Sequence, residues 1–156
     1  MANENDSAIL ESILHLGGAA LLLAFVLQNH RIQDDAAYWC VLGVIWVKCG
    51  SHDCRDTWLT LFRSKRRCAW KVMKTADRRI WRALPASVKA YRAFAPGEDL
   101  DSALSWSMDR KVCERLWPDR QIVERFFPRD RIFAVFTRRG ENELLILPEA
   151  ARRKCA

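Results

Sequence analysis

No apolar run in this 156-residue chain reaches the length of a membrane-spanning helix, which is roughly 20 residues. Residues 16–27 come closest, but Glu11 and His15 interrupt the pattern before them and Gln28-Asn29-His30-Arg31 closes it. Residues 36–47 form a second run of similar length. Two such runs predict short core helices in a hairpin and a chain with no membrane partner; insertion of the hairpin is the alternative. No secretory leader is expected, because Met1-Ala2-Asn3-Glu4-Asn5-Asp6 is acidic where a leader carries Lys or Arg. The six cysteines, at 40, 49, 54, 68, 113 and 155, are therefore expected to be reduced, cytoplasmic and mostly buried. Clean pairs of metal ligands are missing. Cys49, His52 and Cys54, with Cys40 upstream, read as ordinary loop and core residues rather than zinc ligands. There is no Gly-rich dinucleotide fingerprint and no Gly-Lys-Ser/Thr phosphate loop, so any nucleotide chemistry needs another architecture. Internal repeats and low-complexity segments are absent as well.

What is present is core material and positive charge. Half the residues are hydrophobic, with seven Trp and seven Phe, which excludes a disordered chain. The length suits one domain. Lys and Arg total 26 against 19 Asp and Glu, a net charge of +7. Such a surface favours anionic partners: nucleic acid, phosphorylated cofactors or acidic protein faces. A solvated Arg-rich surface is the preferred reading, with a nucleic-acid groove the alternative.

The pattern changes near Pro85. Before it, residues 7–84 read as a helical subregion. Ser7 caps a first helix to about Gln28, and Asp34 or Asp35 caps a second ending near Lys48. A turn follows over residues 49–53. Trp58, Phe62, Ala69, Val72, Met73, Ala76 and Ile80 then recur at spacings that mark one buried face of a third helical region. Arg63, Lys65, Arg66, Arg67, Lys71 and Lys74 fall on its other face, read as the wet side of a helix, with a contact for an acidic partner or nucleic acid the alternative. After Pro85, residues 85–148 read as a β-rich core. Strands are expected over 87–92, 104–107, 121–127, 131–138 and 143–147, with a helix from an Asp109 cap to about Trp117, ended by Pro118. The tail from Pro148 is expected to fray. The fold class is α+β, a helical N-terminal half on an antiparallel sheet.

Three polar groups stand out in the β-rich part. Tyr91-Arg92 ends a strand, Ser105-Trp106-Ser107 forms the next short one, and Arg139-Gly140-Glu141-Asn142-Glu143 opens the last. Successive strand side chains point to opposite faces, so the carboxylates of Glu141 and Glu143, two residues apart, are expected to project from one face. In this order the groups resemble the Arg, Ser-x-Ser, Glu-x-Glu signature of mono-ADP-ribosyltransferases, most of all small phage and bacterial proteins of that kind. The matching text is Leu84-Pro85, Tyr91-Arg92-Ala93, Leu104-Ser105-Trp106-Ser107-Met108-Asp109 and the 139–143 segment. The resemblance covers about residues 84–147 and implies a split, antiparallel ADP-ribosyltransferase-like sheet with NAD as cosubstrate. It assigns Glu143 to the nicotinamide ribose, where a carboxylate stabilises an oxocarbenium-like charge. Glu141 is assigned to the acceptor, an arginine side chain in this class. Arg92 pairs with pyrophosphate or ribose, Ser105 braces the ribose and Glu143, and Tyr91, Trp106 and Ser107 shape the wall. Three departures stand beside it: Ala93 replaces a usual Gly, Ser107 replaces a usual Thr, and Leu116 takes the place of an aromatic that packs on nicotinamide.

Two functions follow. One is NAD-dependent modification of a host protein, as by a phage effector in the host cytoplasm. The other is the same fold without turnover, or a helical module with a basic face, blocking a host complex as a stoichiometric anti-defence inhibitor such as an anti-CRISPR protein. A minor third reading is a nucleic-acid or membrane-associated accessory protein built on the basic helix and the apolar N-terminus.

Overall fold

The computed structural model describes residues 4–49 and 53–148. The expected turn over 49–53, His52 of the Cys/His cluster and the tail with Cys155 lie wholly or mostly outside the described residues. The chain divides into two compact units, Met1–Lys74 and Thr75–Ala156. The change of pattern expected at Pro85 thus falls one helix after the division.

The first unit is helical: α1 (Glu4–Leu14), α2 (Gly18–Gln28), α3 (Asp35–Cys49) and α4 (Arg55–Phe62), with 3₁₀ turns over Asn29–Arg31 and Ala69–Val72. The single helix expected over 7–28 is two. Gly17 is extended and Gly18 has φ +54, the left-handed region open to glycine, so the backbone turns there. Its start also differs, since Glu4 and Asp6 occupy the first turn of α1. Asp34 does cap α3, its Oδ1 accepting from the amides of Ala36 at 2.7 Å and Ala37 at 3.3 Å. The third helical region is broken as well. Helix α4 ends at Phe62, and Cys68 has φ +63, which no continuing α-helix permits. Trp58, Phe62, Val72 and Met73 are buried as expected, but Ala76 and Ile80 are exposed.

Aromatic packing makes the core of this unit. Trp46 meets Trp58 edge-on at 4.8 Å and Phe62 at 5.3 Å, and Phe25 lies 5.4 Å from Tyr38. Gly43 lets the 3₁₀ turn close on α3, since a Cβ there would stand 2.0 Å from the Val72 carbonyl oxygen. Arg66 is not on a wet face. Its guanidinium reaches the carbonyls of Asn29 at 3.1 Å and Ile32 at 2.8 Å and the Asp35 carboxylate at 3.2 Å. The basic run is therefore neither one helix nor uniformly solvated. The cysteines differ from expectation too: Cys40, Cys54 and Cys68 are exposed free thiols, and Cys113 is buried. Burial raises the thiol pKa of Cys113, and of half-buried Cys49, above the ordinary value. Among the described residues no helix is long and apolar enough to cross a membrane.

The second unit is α+β. It runs α5 (Thr75–Ala83), β1 (Ser87–Phe94), β2 (Ser105–Ser107), α6 (Arg110–Leu116), β3 (Gln121–Pro128), β4 (Ile132–Phe136) and β5 (Glu143–Ile146). The five strands form one antiparallel sheet in the order β3-β1-β2-β5-β4. Every strand lies where the alternation of residues placed it, within a few residues at each end. Asp109 caps α6, accepting from the Lys111 amide at 2.9 Å, and the helix stops ahead of Pro118. Helix α5 belongs to this unit because Trp81 Nε1 donates to the Ile132 carbonyl at 2.9 Å and Asp77 takes both the amide and the hydroxyl of Thr137.

Replacing Gly43 with Ala drives a methyl into a backbone carbonyl, which cannot swing aside. Gly43→Ala should lower the unfolding free energy by about 3 kcal/mol or more in urea denaturation. Tyr38 gives a second test. Burial pushes its phenol pKa up to about 12, although Ser64 and Arg66 pull it down. The unfolded phenol ionises near 10, so this group's contribution is complete below pH 10 and is lost as pH rises towards 12. Across that window wild type should lose about 2–3 kcal/mol more stability than Tyr38→Phe.

Candidate functional site

The site residues predicted from sequence gather on and around β2. The register pairs Tyr91 with Ser107, Ser107 with Glu143, and Ser105 with Leu145. Directly opposed residues share a face, so Tyr91, Ser105, Ser107 and Glu143 lie on one side of the sheet and Trp106 with Leu144 on the other. Ser105 Oγ donates to Glu143 Oε1 at 2.5 Å. The Glu143 carboxylate is buried, with 8% of the residue exposed, so its orientation is fixed by packing as well as by that hydrogen bond.

Arg92 joins the group through the main chain. Strand alternation starts its side chain on the face opposite Tyr91, and Nη1 reaches the Ser105 carbonyl at 2.6 Å. Nε and Nη2 both donate to Glu98 Oε1, with the Nε contact at 2.8 Å. Glu98 Oε2 accepts in turn from the Ala95 amide at 3.1 Å, which ties the carboxylate to its own loop. The result is a continuous chain of polar contacts: Glu98, Arg92, Ser105, Glu143. Sequence reasoning missed Glu98. Its signal was an acid six residues beyond Arg92, in a loop whose Gly97, at φ +80, can fold back.

Glu141 differs from expectation. Strand β5 begins only at Glu143, and Asn142 has φ +46. A left-handed residue between them breaks the alternation, so strand geometry does not put the two carboxylates on one face. The Glu141 side chain faces Arg139, with Nε to Oε1 at 3.8 Å, and its carbonyl accepts from Ser107 Oγ at 2.7 Å. Ser107 Oγ also accepts from the Asp109 amide at 3.0 Å. Ser107 therefore braces the 141–142 turn and the start of α6 and is buried while doing so. Main-chain bonding repeats that brace, from the Met108 amide to the Asn142 carbonyl at 2.9 Å.

Trp106 points away from this face. Its ring packs edge-on against Phe127 at 5.0 Å, under the Arg125 guanidinium, and Nε1 donates to the Ala103 carbonyl at 3.2 Å. It is a core residue rather than a wall of the Ser105–Glu143 face. On its side of the sheet a cavity of about 320 Å3 is lined by Leu100, Asp101, Ala103, Arg125, Phe127, Arg131, Ile146 and Pro148. None of the sequence-predicted site residues lines it. Ala93 is buried in β1 opposite Ile122. Leu116 is 44% exposed at the end of α6.

Ser107→Ala leaves the Glu141 carbonyl and the Asp109 amide without their shared partner in a buried position. Stability should fall by about 1–3 kcal/mol in chemical denaturation, and Ser107→Thr should recover part of the loss. No family model, no curated protein and no solved structure matches this chain.

Proposed function

We propose that the chain is an NAD-dependent mono-ADP-ribosyltransferase acting on a protein side chain, with arginine as the acceptor and a host protein as the target. The observation that carries this reading is the Ser105 Oγ to Glu143 Oε1 hydrogen bond on adjacent central strands, with Arg92 fastened to the same serine's carbonyl. A carboxylate held this way is preorganised. It can accept from ribose hydroxyls and favour positive charge beside it without first reorienting. NAD supplies the bond that is cleaved, between nicotinamide and ribose. Glu143 is the residue proposed to stabilise that step, and Ser105 positions it. Arg92 is the cation proposed to take the pyrophosphate, and its guanidinium fork suits phosphate oxygens. Glu141, on the turn before β5, is the residue proposed to hold the acceptor. Tyr91 and Ser107 share the sheet face with Glu143, which fits a wall role.

One observation favours a second reading, the same scaffold as a stoichiometric protein-binding inhibitor. Arg92 spends Nε and Nη2 on Glu98 and Nη1 on Ser105. A phosphate must displace the Glu98 carboxylate to use them. The exposed Leu116 also offers nicotinamide no aromatic ring.

Labelled NAD incubated with a bacterial lysate separates the two. Wild type should transfer label to protein, and Glu143→Gln, which keeps volume and one acceptor oxygen, should cut transfer about a hundredfold or more. Absence of label from both, with target binding unchanged in Glu143→Gln, selects the inhibitor.

A further inference from the structure

Helix α2 is apolar all round. Its residues, Gly18–Gln28, include no charged side chain. Leu21, Leu22 and Phe25 are buried in the first unit, while Leu23 is 60%, Val26 37% and Leu27 63% exposed. With exposed Ala19 and Ala20 they line one stripe at helical spacing. A surface helix ordinarily turns polar residues outward, so this outer face is built for something other than water.

The ends of the stripe are cationic. At its N-terminal end Lys48 Nζ lies 3.3 Å from the Leu14 carbonyl, and Cys49 Sγ is 3.4 Å from that of Gly18. At its C-terminal end Arg31 follows directly. The bonds from Arg66 to the Asn29 and Ile32 carbonyls pin the 65–67 segment beside it. Lys48, Arg31, Lys65 and Arg67 are all exposed. Three nearby carboxylates are turned to internal partners, while Glu4 and Glu11 on α1 are exposed. Asp6 is buried on the Gln33 and Asp34 amides, Asp34 caps α3, and Asp35 holds Arg66 and Arg67. The exposed leucines thus lie on a helix whose two ends neighbour Lys48 and Arg31.

The geometry points to this face as a peripheral docking surface for an anionic lipid bilayer, α2 lying in the plane of the interface. Leu23, Val26 and Leu27 enter the acyl boundary, and Lys48, Arg31 and Lys65 meet the headgroups. A second copy fits the face poorly. An isologous pairing is self-complementary and brings cationic ends of the two stripes together, which repels. Peripheral docking needs no spanning helix, so short apolar runs do not argue against it. The inference is independent of the NAD reading.

Cosedimentation of the full chain with vesicles tests it. Vesicles of equal parts phosphatidylcholine and phosphatidylglycerol should pull the protein down, phosphatidylcholine alone far less, and added salt should release it. Leu23→Ser with Leu27→Ser should weaken binding at least about tenfold with thermal unfolding unchanged. Arg31→Glu with Lys48→Glu should reduce binding to the mixed vesicles to the level of phosphatidylcholine alone. Failure to sediment with the mixed vesicles overturns the proposal. So does binding indifferent to both pairs of substitutions, or a lipid-free dimer that the serine substitutions dissolve.

Discussion

Strand β2 is only three residues long, yet among the described residues it is the sole strand linking β3-β1 to β5-β4. So short a ladder offers few main-chain hydrogen bonds, and the sheet would part there without help. The help comes from flanking groups. Ile146 donates to the Leu104 carbonyl at 2.8 Å just before β2, and Met108 to Asn142 just after it. Side chains complete the seam: Arg92 to the Ser105 carbonyl on one side, Ser105 to Glu143 and Ser107 to Glu141 on the other. The polar residues that make the candidate site therefore also hold the sheet in one piece. Positioning and stability are the same set of contacts.

Elsewhere carboxylates play a similar part. Asp6 is fully buried, with its oxygens on the amides of Gln33 and Asp34. Asp77, 1% exposed, takes the amide and hydroxyl of Thr137 and lies 3.8 Å from Arg138 Nε. Glu98 holds Arg92. A buried carboxylate is tolerable only with such donors; Asp6 and Asp77 anchor segments that have no regular pairing of their own, and half-buried Glu98 ties its loop to β1. This recasts the basic surplus: Arg66, Arg92 and Arg138 are committed internally, and fewer cations remain for partners than the net charge suggests.

Much of this was legible in the residues. The β strands of the second unit alternate or run apolar between turn residues, and local sterics and burial then leave little choice of element. Asp34 and Asp109 announced their helices because a short acceptor side chain before an apolar or basic turn satisfies the free amides. The helical first half was less legible. Apolar periodicity runs straight through Gly17-Gly18 and through the Cys68 region, and only the backbone reveals the breaks. Asn142 misled in the same manner: two glutamates spaced for a strand are separated by a left-handed residue, so strand alternation does not tie Glu141 to the face on which Glu143 sits.

The sequence by itself determined the α+β class of the second unit, its strand positions, the cap of α6, and the set of Arg, Ser and Glu residues that could carry chemistry. These follow from local rules, in which a residue's neighbours along the chain fix its backbone and its face. Tertiary structure alone decided strand order and register, hence that Ser105 bonds Glu143, that Arg92 reaches that serine's carbonyl and is held by Glu98, and that Trp106 belongs to the opposite face. Those contacts join residues far apart along the chain, and no spacing rule reaches across such a distance. Tertiary structure likewise left one side of α2 uncovered, because which apolar face is buried depends on what packs against it, not on the residues of the helix.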